Sequence, residues 1–141
     1  MSPQLRNFNA GVWNELEQTV RDWAYDKTRL IVVTGPLFFD DDFERIGNNG
    51  VAVPHAFYKA VLDPVEKQAA AFVVPHEVTD LPLKEFVSSI NELERLMNFD
   101  LFSAYFDSEA AEDGIEGMVN LDNWPFNEAR YLARVNKWNN N

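Results

Sequence analysis

The chain contains no cysteine, which removes disulfide bridges, thiolate nucleophiles and thiolate metal ligands in one step and leaves the redox compartment open. Histidine is scarce, with only His55 and His76 available for imidazole chemistry. No apolar run approaches the roughly 18 residues that span a bilayer, and Met1 is followed by Ser2-Pro3-Gln4-Leu5-Arg6 rather than by a basic stretch and an apolar one. Neither a membrane span nor a signal peptide is expected. Basic charge is also in deficit: 12 Lys and Arg stand against 23 Asp and Glu, a net charge of −11. A field of that sign opposes diffuse attraction to nucleic acid or anionic lipid. Residues 1–60 hold 6 basic and 8 acidic side chains, whereas residues 61–141 hold 6 and 15. A phosphate-handling site therefore belongs early in the chain.

Apolar and aromatic residues are plentiful, with 11 Phe, 4 Trp and 4 Tyr, too much buriable surface for a disordered acidic segment. A length of 141 residues suits a single domain over 1–141. From Ala10 to about Lys27, Trp13, Leu16, Val20, Trp23 and Ala24 recur at spacings of three and four, which predicts an amphipathic helix. Leu30 to Thr34 is a continuous, largely β-branched run ended by Gly35-Pro36, which reads as a buried central strand stopped by a turn, with extension through Leu37-Phe38-Phe39 as the alternative. Strand segments are expected at Val51–Val53, Ala56–Leu62 and Ala69–Val74, with a short one at Phe86–Ser88. Ser89 to Glu92 has capping-box spacing and opens a helix carrying Ile90, Leu93 and Met97 on one face. After the acid-rich stretch Asp107–Glu116, read as solvated, Asn127–Trp138 returns to helical spacing through Tyr131, Leu132, Val135 and Trp138. The class is α+β, with a mixed or antiparallel central sheet flanked by helices.

Three side chains of the first long helix stand out. Glu17 and Arg21 fall at the edge of its apolar stripe, one turn apart, and Asn9 lies just before its first turn. On spacing alone they form an N-terminal asparagine and an i,i+4 ion pair worth about 0.2–0.5 kcal/mol. A chemical reading is also available, because an amide oxygen, a carboxylate and a guanidinium on one ridge suit a divalent cation, its waters and a phosphate. Asp40-Asp41-Asp42 offers hard oxygens but sits beside a turn, where a solvated loop is the ordinary outcome. Gly47-Asn48-Asn49-Gly50 lacks the lysine of a phosphate-binding loop and reads as a turn.

The segment MSPQLRNFNAGVWNELEQTVRDWA resembles the stretch that follows the catalytic motif in the DNA/RNA non-specific endonuclease family, the ββα-metal or His-Me finger nucleases. The likeness continues through LIVVTGPLF, Ile46-Gly47, Val53-Pro54, FYKAVLD, AAAFVVP and the Ser-Ile-Asn-Glu-Leu-Glu helix start. It covers residues 1–106 and leaves 107–141, the acidic segment and last helix, unassigned. The resemblance implies that Asn9 is the direct protein ligand to Mg²⁺ (or Mn²⁺), that Glu17 holds water on the metal, and that Arg21 lies near the scissile phosphate. It also implies DNA and RNA as substrates. The family's general-base histidine belongs to an Asp-Arg-Gly-His motif upstream of the Pro-Gln pair, and this sequence begins at Met1-Ser2-Pro3-Gln4. The expectation is thus a truncated nuclease domain that binds metal weakly and is inactive alone. Self-association, or completion by an N-terminal fragment, would cover the sheet edge left by absent strands. His55 and His76 each follow a proline at a strand end, typical of a loop surface, and match no functional position. The alternative is a nuclease-derived, non-catalytic module that binds a protein partner.

Overall fold

A computed structural model describes residues 6–38, 45–46, 51–102, 117 and 119–139. The Asp40-Asp41-Asp42 loop, the Gly47–Gly50 turn and the acidic stretch Asp107–Glu116 lie outside the described residues. A short helical turn, α1 (Arg6–Phe8), runs into a wide turn at Asn9–Trp13 and then into α2 (Asn14–Asp26). The strands β1 (Ile31–Leu37), β2 (Arg45–Ile46), β3 (Val51–Ala52), β4 (Ala56–Asp63), β5 (Gln68–Pro75) and β6 (Val87–Ser88) follow, with a 3₁₀ turn at Leu83–Phe86. Among the described residues, α3 (Ile90–Met97), a 3₁₀ turn at Leu121–Asn123 and α4 (Glu128–Asn139) come next.

The main sheet is antiparallel with strand order β1-β4-β5-β6, and β2 pairs with β3 separately. The α+β class follows. Alternation along β4 sends Phe57 and Val61 toward α2 and Ala56, Tyr58, Ala60 and Leu62 toward α3. Both faces are covered, so all eight β4 residues are buried even though their neighbours differ. The α2 side packs Phe8, Val12, Trp13, Leu16, Val20 and Trp23 against Phe57, Phe72 and Trp124. The α3 side packs Ile90, Leu93 and Phe102 against alanines of β4 and β5, small residues that let the helix approach the sheet.

β1 is an edge strand of the sheet rather than a central one, and Gly35-Pro36 is not a turn: the strand takes the extension that the sequence left open and runs through this pair to Leu37. Proline lacks an N–H and is tolerated only where a strand has one unpaired side. Gly35 has its own reason: a Cβ there would meet the Tyr58 ring at 2.9 Å, so the cross-strand tyrosine occupies the space of a side chain.

The helix ends follow local rules. Ser89 Oγ accepts from the Glu92 N–H at 3.2 Å, and Asn98 closes α3 in the left-handed region at φ 54°. Asn127 Oδ1 accepts from the Arg130 N–H at 3.1 Å and opens α4. That helix docks differently from its apolar spacing, since Leu132 is exposed while Arg130 and Arg134 face α2.

Candidate active site

α2 carries charge on both edges of its buried stripe. At about 100° per residue, Leu16, Val20 and Trp23 point into the core, Glu15 and Asp22 fall on one side of them, and Glu17 and Arg21 on the other. The first edge is closed by the C-terminal segment. Arg134 Nε meets Glu15 Oε1 at 2.8 Å, and the two terminal guanidinium nitrogens of Arg130 meet the Asp22 carboxylate, the longer contact at 3.2 Å. Trp23 Nε1 donates to the Pro125 carbonyl at 2.8 Å, and Trp124 packs edge-on against the Trp23 ring. Burial pushes the Glu15 carboxyl above its usual range, with Arg134 acting against that rise. The hydrogen bond from Arg130 holds Asp22 below its usual range. An open groove of about 1160 Å³ runs along this edge, lined by Arg6, Asn7, Gly11, Glu15, Arg130 and Arg134.

The second edge is open. Asn9, Glu17 and Arg21 are all exposed. Glu17 and Arg21 are not within ion-pair distance of one another or of any other described residue, so the i,i+4 pair that spacing suggested does not form. Asn9 is not a helix cap either: the residue before the wide turn is Phe8, the residue before α2 is Trp13, and neither end has a side-chain cap. Asn9 also differs from expectation in its backbone. The chain is already helical at Arg6–Phe8 and breaks at Gly11 (φ −103°, ψ −110°), so Asn9 precedes a change of direction rather than the first turn of one straight helix.

Against Trp13, one turn before Glu17, the sheet supplies a lysine that sequence reasoning passed over. Lys59 of β4 is 7% exposed. Its Nζ donates to Thr34 Oγ1 at 2.9 Å, and the Thr34 hydroxyl donates to the Tyr58 carbonyl at 3.2 Å. The ammonium lies 5.0 Å from the centre of the Trp13 ring, midway in sequence between Asn9 and Glu17. Burial lowers the Lys59 pKa, and the charge of Glu17 opposes that fall. The available signal was a charged residue inside an otherwise apolar strand, AFYKAVLD.

The histidines are not on open loop surface. Both are half-buried. His76 fits edge-on against Phe8 and Phe57, with ring centres 4.9 and 5.0 Å away, and its Nδ1 lies 3.1 Å from the Pro54 carbonyl oxygen. The proline-histidine ends of β4 and β5 are drawn under α1 by this aromatic cluster.

The family model for DNA/RNA non-specific endonucleases matches residues 1–108. The chain belongs to that family. It is 29% identical over 118 residues to the mitochondrial endonuclease G of Caenorhabditis elegans, covering 73% of this chain and 38% of the relative. The mitochondrial nuclease EXOG of Danio rerio is 36% identical over 118 residues, covering 72% and 34%. Among solved structures, a crystal structure of an EndoG/EndoGI complex superimposes with a TM-score of 0.64 at 32% identity, covering 72% of this chain and 48% of that one. The chain thus spans little more than a third of these two relatives, and the match ends before the segment that closes the Glu15 edge. Among the described residues, no helix is long and apolar enough to cross a membrane.

Proposed function

We propose that the chain carries the metal-binding helix of a divalent-metal-dependent nuclease acting on DNA and RNA. Its Asn9 amide oxygen serves as the direct protein ligand, Glu17 orders water on the ion, and Arg21 holds the scissile phosphate. The observation that supports this most is that the three side chains matching the family are exposed and used neither for capping nor for an internal ion pair. The donor set fits. Amide and carboxylate oxygens suit Mg²⁺ or Mn²⁺, and among the described residues no three His, Cys, Asp or Glu side chains gather into a cage. Such a site takes an ion that keeps most of its water and binds it weakly. When bound, such an ion would supply positive charge where negative charge develops on the phosphate. Arg21, with its planar fork, adds a second positive group able to grip phosphate oxygens in two places.

The test is a Mg²⁺ titration followed by backbone NMR. Shifts are expected first at Asn9 and Glu17, with a smaller response in Glu17→Gln. Shifts centred on Asp40-Asp41-Asp42 would remove the site and leave only the scaffold. The histidine of an Asp-Arg-Gly-His motif is not among these 141 residues, and by this reading they do not cleave phosphodiesters by themselves.

Self-association belongs to the same proposal. β1 is a sheet edge, and Val32 on it and Phe38 just past its end are each 41% exposed. Light scattering is expected to give a mass above 16.2 kDa; a strictly monomeric protein would count against it. A second reading, a non-catalytic module for a protein partner, draws on the net charge of −11 and on the EndoG neighbour having been solved with EndoGI. It requires that metal leave Asn9 and Glu17 unmoved.

A further inference from the structure

β4 presents two buried charges to α2, four residues apart, and the structure treats them differently. Asp63 is satisfied where it stands: its Oδ1 accepts from the N–H groups of Val65 and Glu66 at 3.0 and 3.1 Å, and its other oxygen faces Lys27 at 3.6 Å. It organises the β4–β5 turn. Lys59 has no such explanation. Among the described residues its one hydrogen bond is to the neutral Thr34 hydroxyl, and no carboxylate lies within ion-pair distance.

An ammonium in this position is a poor choice for stability. Phe57 and Val61 flank it along the strand, Phe72 lies opposite it on β5, and Trp13 covers it. Desolvating a lysine among such groups is costly, and an apolar side chain of similar length commonly replaces a buried charge with no loss. Thr34 and Glu17 are both exposed, so removing the amine would strand no buried partner. A local rule broken without a stabilising return points to a site. What the ammonium does have is a place: it is fixed between strand β1 and the ring of Trp13, which precedes Glu17 by one helical turn on the same side of the helix.

We propose that Lys59 is a positioning residue for Glu17, its ammonium held by Thr34 and Trp13 so that the carboxylate above it keeps one orientation at the mouth of the candidate metal site. This rests on the role given to Glu17 above. The attraction acts at longer range than a contact pair, which orients the carboxylate while leaving its oxygens available to water. The same relation is seen from the other side, since Glu17 is the carboxylate whose charge works against the burial-driven fall in the Lys59 pKa. A lysine suits the task because its charge sits at the end of a slim stem that fits between Phe57 and Val61.

The experiment uses the 141-residue chain with Lys59→Met, Lys59→Arg and Thr34→Val. Orientation is read without metal, from the three-bond couplings and carboxyl ¹³C shift of Glu17, and site function from the Mg²⁺ titration. Lys59→Met is expected to melt at or above the parent temperature, to bring the Glu17 couplings toward rotamer-averaged values, and to weaken Mg²⁺ binding by about ten-fold, the usual scale for groups that orient ligands. Lys59→Arg is expected to preserve most of the orientation and Thr34→Val to lose part of it. Should Lys59→Met not fold, Thr34→Val carries the test, because it releases the ammonium without removing it. Unchanged Glu17 couplings and carboxyl shift in Lys59→Met and Thr34→Val would overturn the proposal and leave Lys59 a core residue. If the couplings respond but Mg²⁺ moves neither Asn9 nor Glu17 in the parent, Lys59 does position Glu17 and the metal reading fails instead.

Discussion

Arg134→Ala is expected to destabilise the fold by about 3 kcal/mol at neutral pH, measured by urea unfolding, because it strands the carboxylate of Glu15 in the protein. Glu15 is 5% exposed, and Arg134 is the cation that meets it. The pair is held by charge more than by a directed hydrogen bond, since Arg134 Nε and Glu15 Oε1 lie 2.8 Å apart without hydrogen-bond alignment. Arg134 also donates to the carbonyls of Thr79 and Leu81, so its loss loosens the segment before the Leu83–Phe86 turn. The pH dependence has a definite sign. Burial already raises Glu15 in the folded state, and losing Arg134 removes the main opposing influence. A carboxyl raised on folding weakens the native state only where it is charged, so the defect should shrink as the pH falls through the raised value. Arg130→Ala is the control. Asp22 is well exposed, and breaking its pair is expected to cost less than about 1 kcal/mol. Asp22 is lowered on folding, so its contribution is complete above the ordinary aspartate range and fades as the pH falls through the lowered folded value. Equal losses in the two variants would show that Glu15 is better solvated than its surroundings suggest.

The second large effect concerns catalysis. Purified as these 141 residues, the protein is expected to leave supercoiled plasmid intact in Mg²⁺ or Mn²⁺. General-base catalysis contributes about 10²–10⁴-fold, and the chain offers no side chain in that role by family position. A histidine that the fold brings toward this helix is His76, whose ring is wedged against Phe8, one residue from Asn9. Metal-dependent nicking would overturn the expectation, and loss of that nicking in His76→Ala but not His55→Ala would identify the replacement base.

Periodicity carried most of the fold. The stripe of α2, the apolar runs of β4 and β5 bounded by proline and turn residues, and the Ser89 cap are local patterns whose physics is complete within a few residues, and each appears where the sequence placed it. The position of β1 in the sheet is not local. A β-branched run reads the same at the edge or the centre, and Pro36 was the residue that distinguished them. At the candidate site, family likeness selected Asn9, Glu17 and Arg21, whereas Glu15 and Lys59 acquire their surroundings from residues 119 and 46 positions away, Arg134 and Trp13. No window of sequence contains both members of either relation.

The docking of α4 on the closed edge of α2 bears on how this polypeptide divides. The family match ends at residue 108, yet Glu15, Asp22 and Trp23, all inside it, are completed by Arg134, Arg130 and Pro125, all beyond it. A boundary drawn by similarity would therefore cut through three tertiary contacts of the helix that bears Glu17 and Arg21. The excised portion would keep every residue assigned to the chemistry and lose the brace behind them, so a part of the polypeptide beyond the family-model match supports the helix at the heart of it.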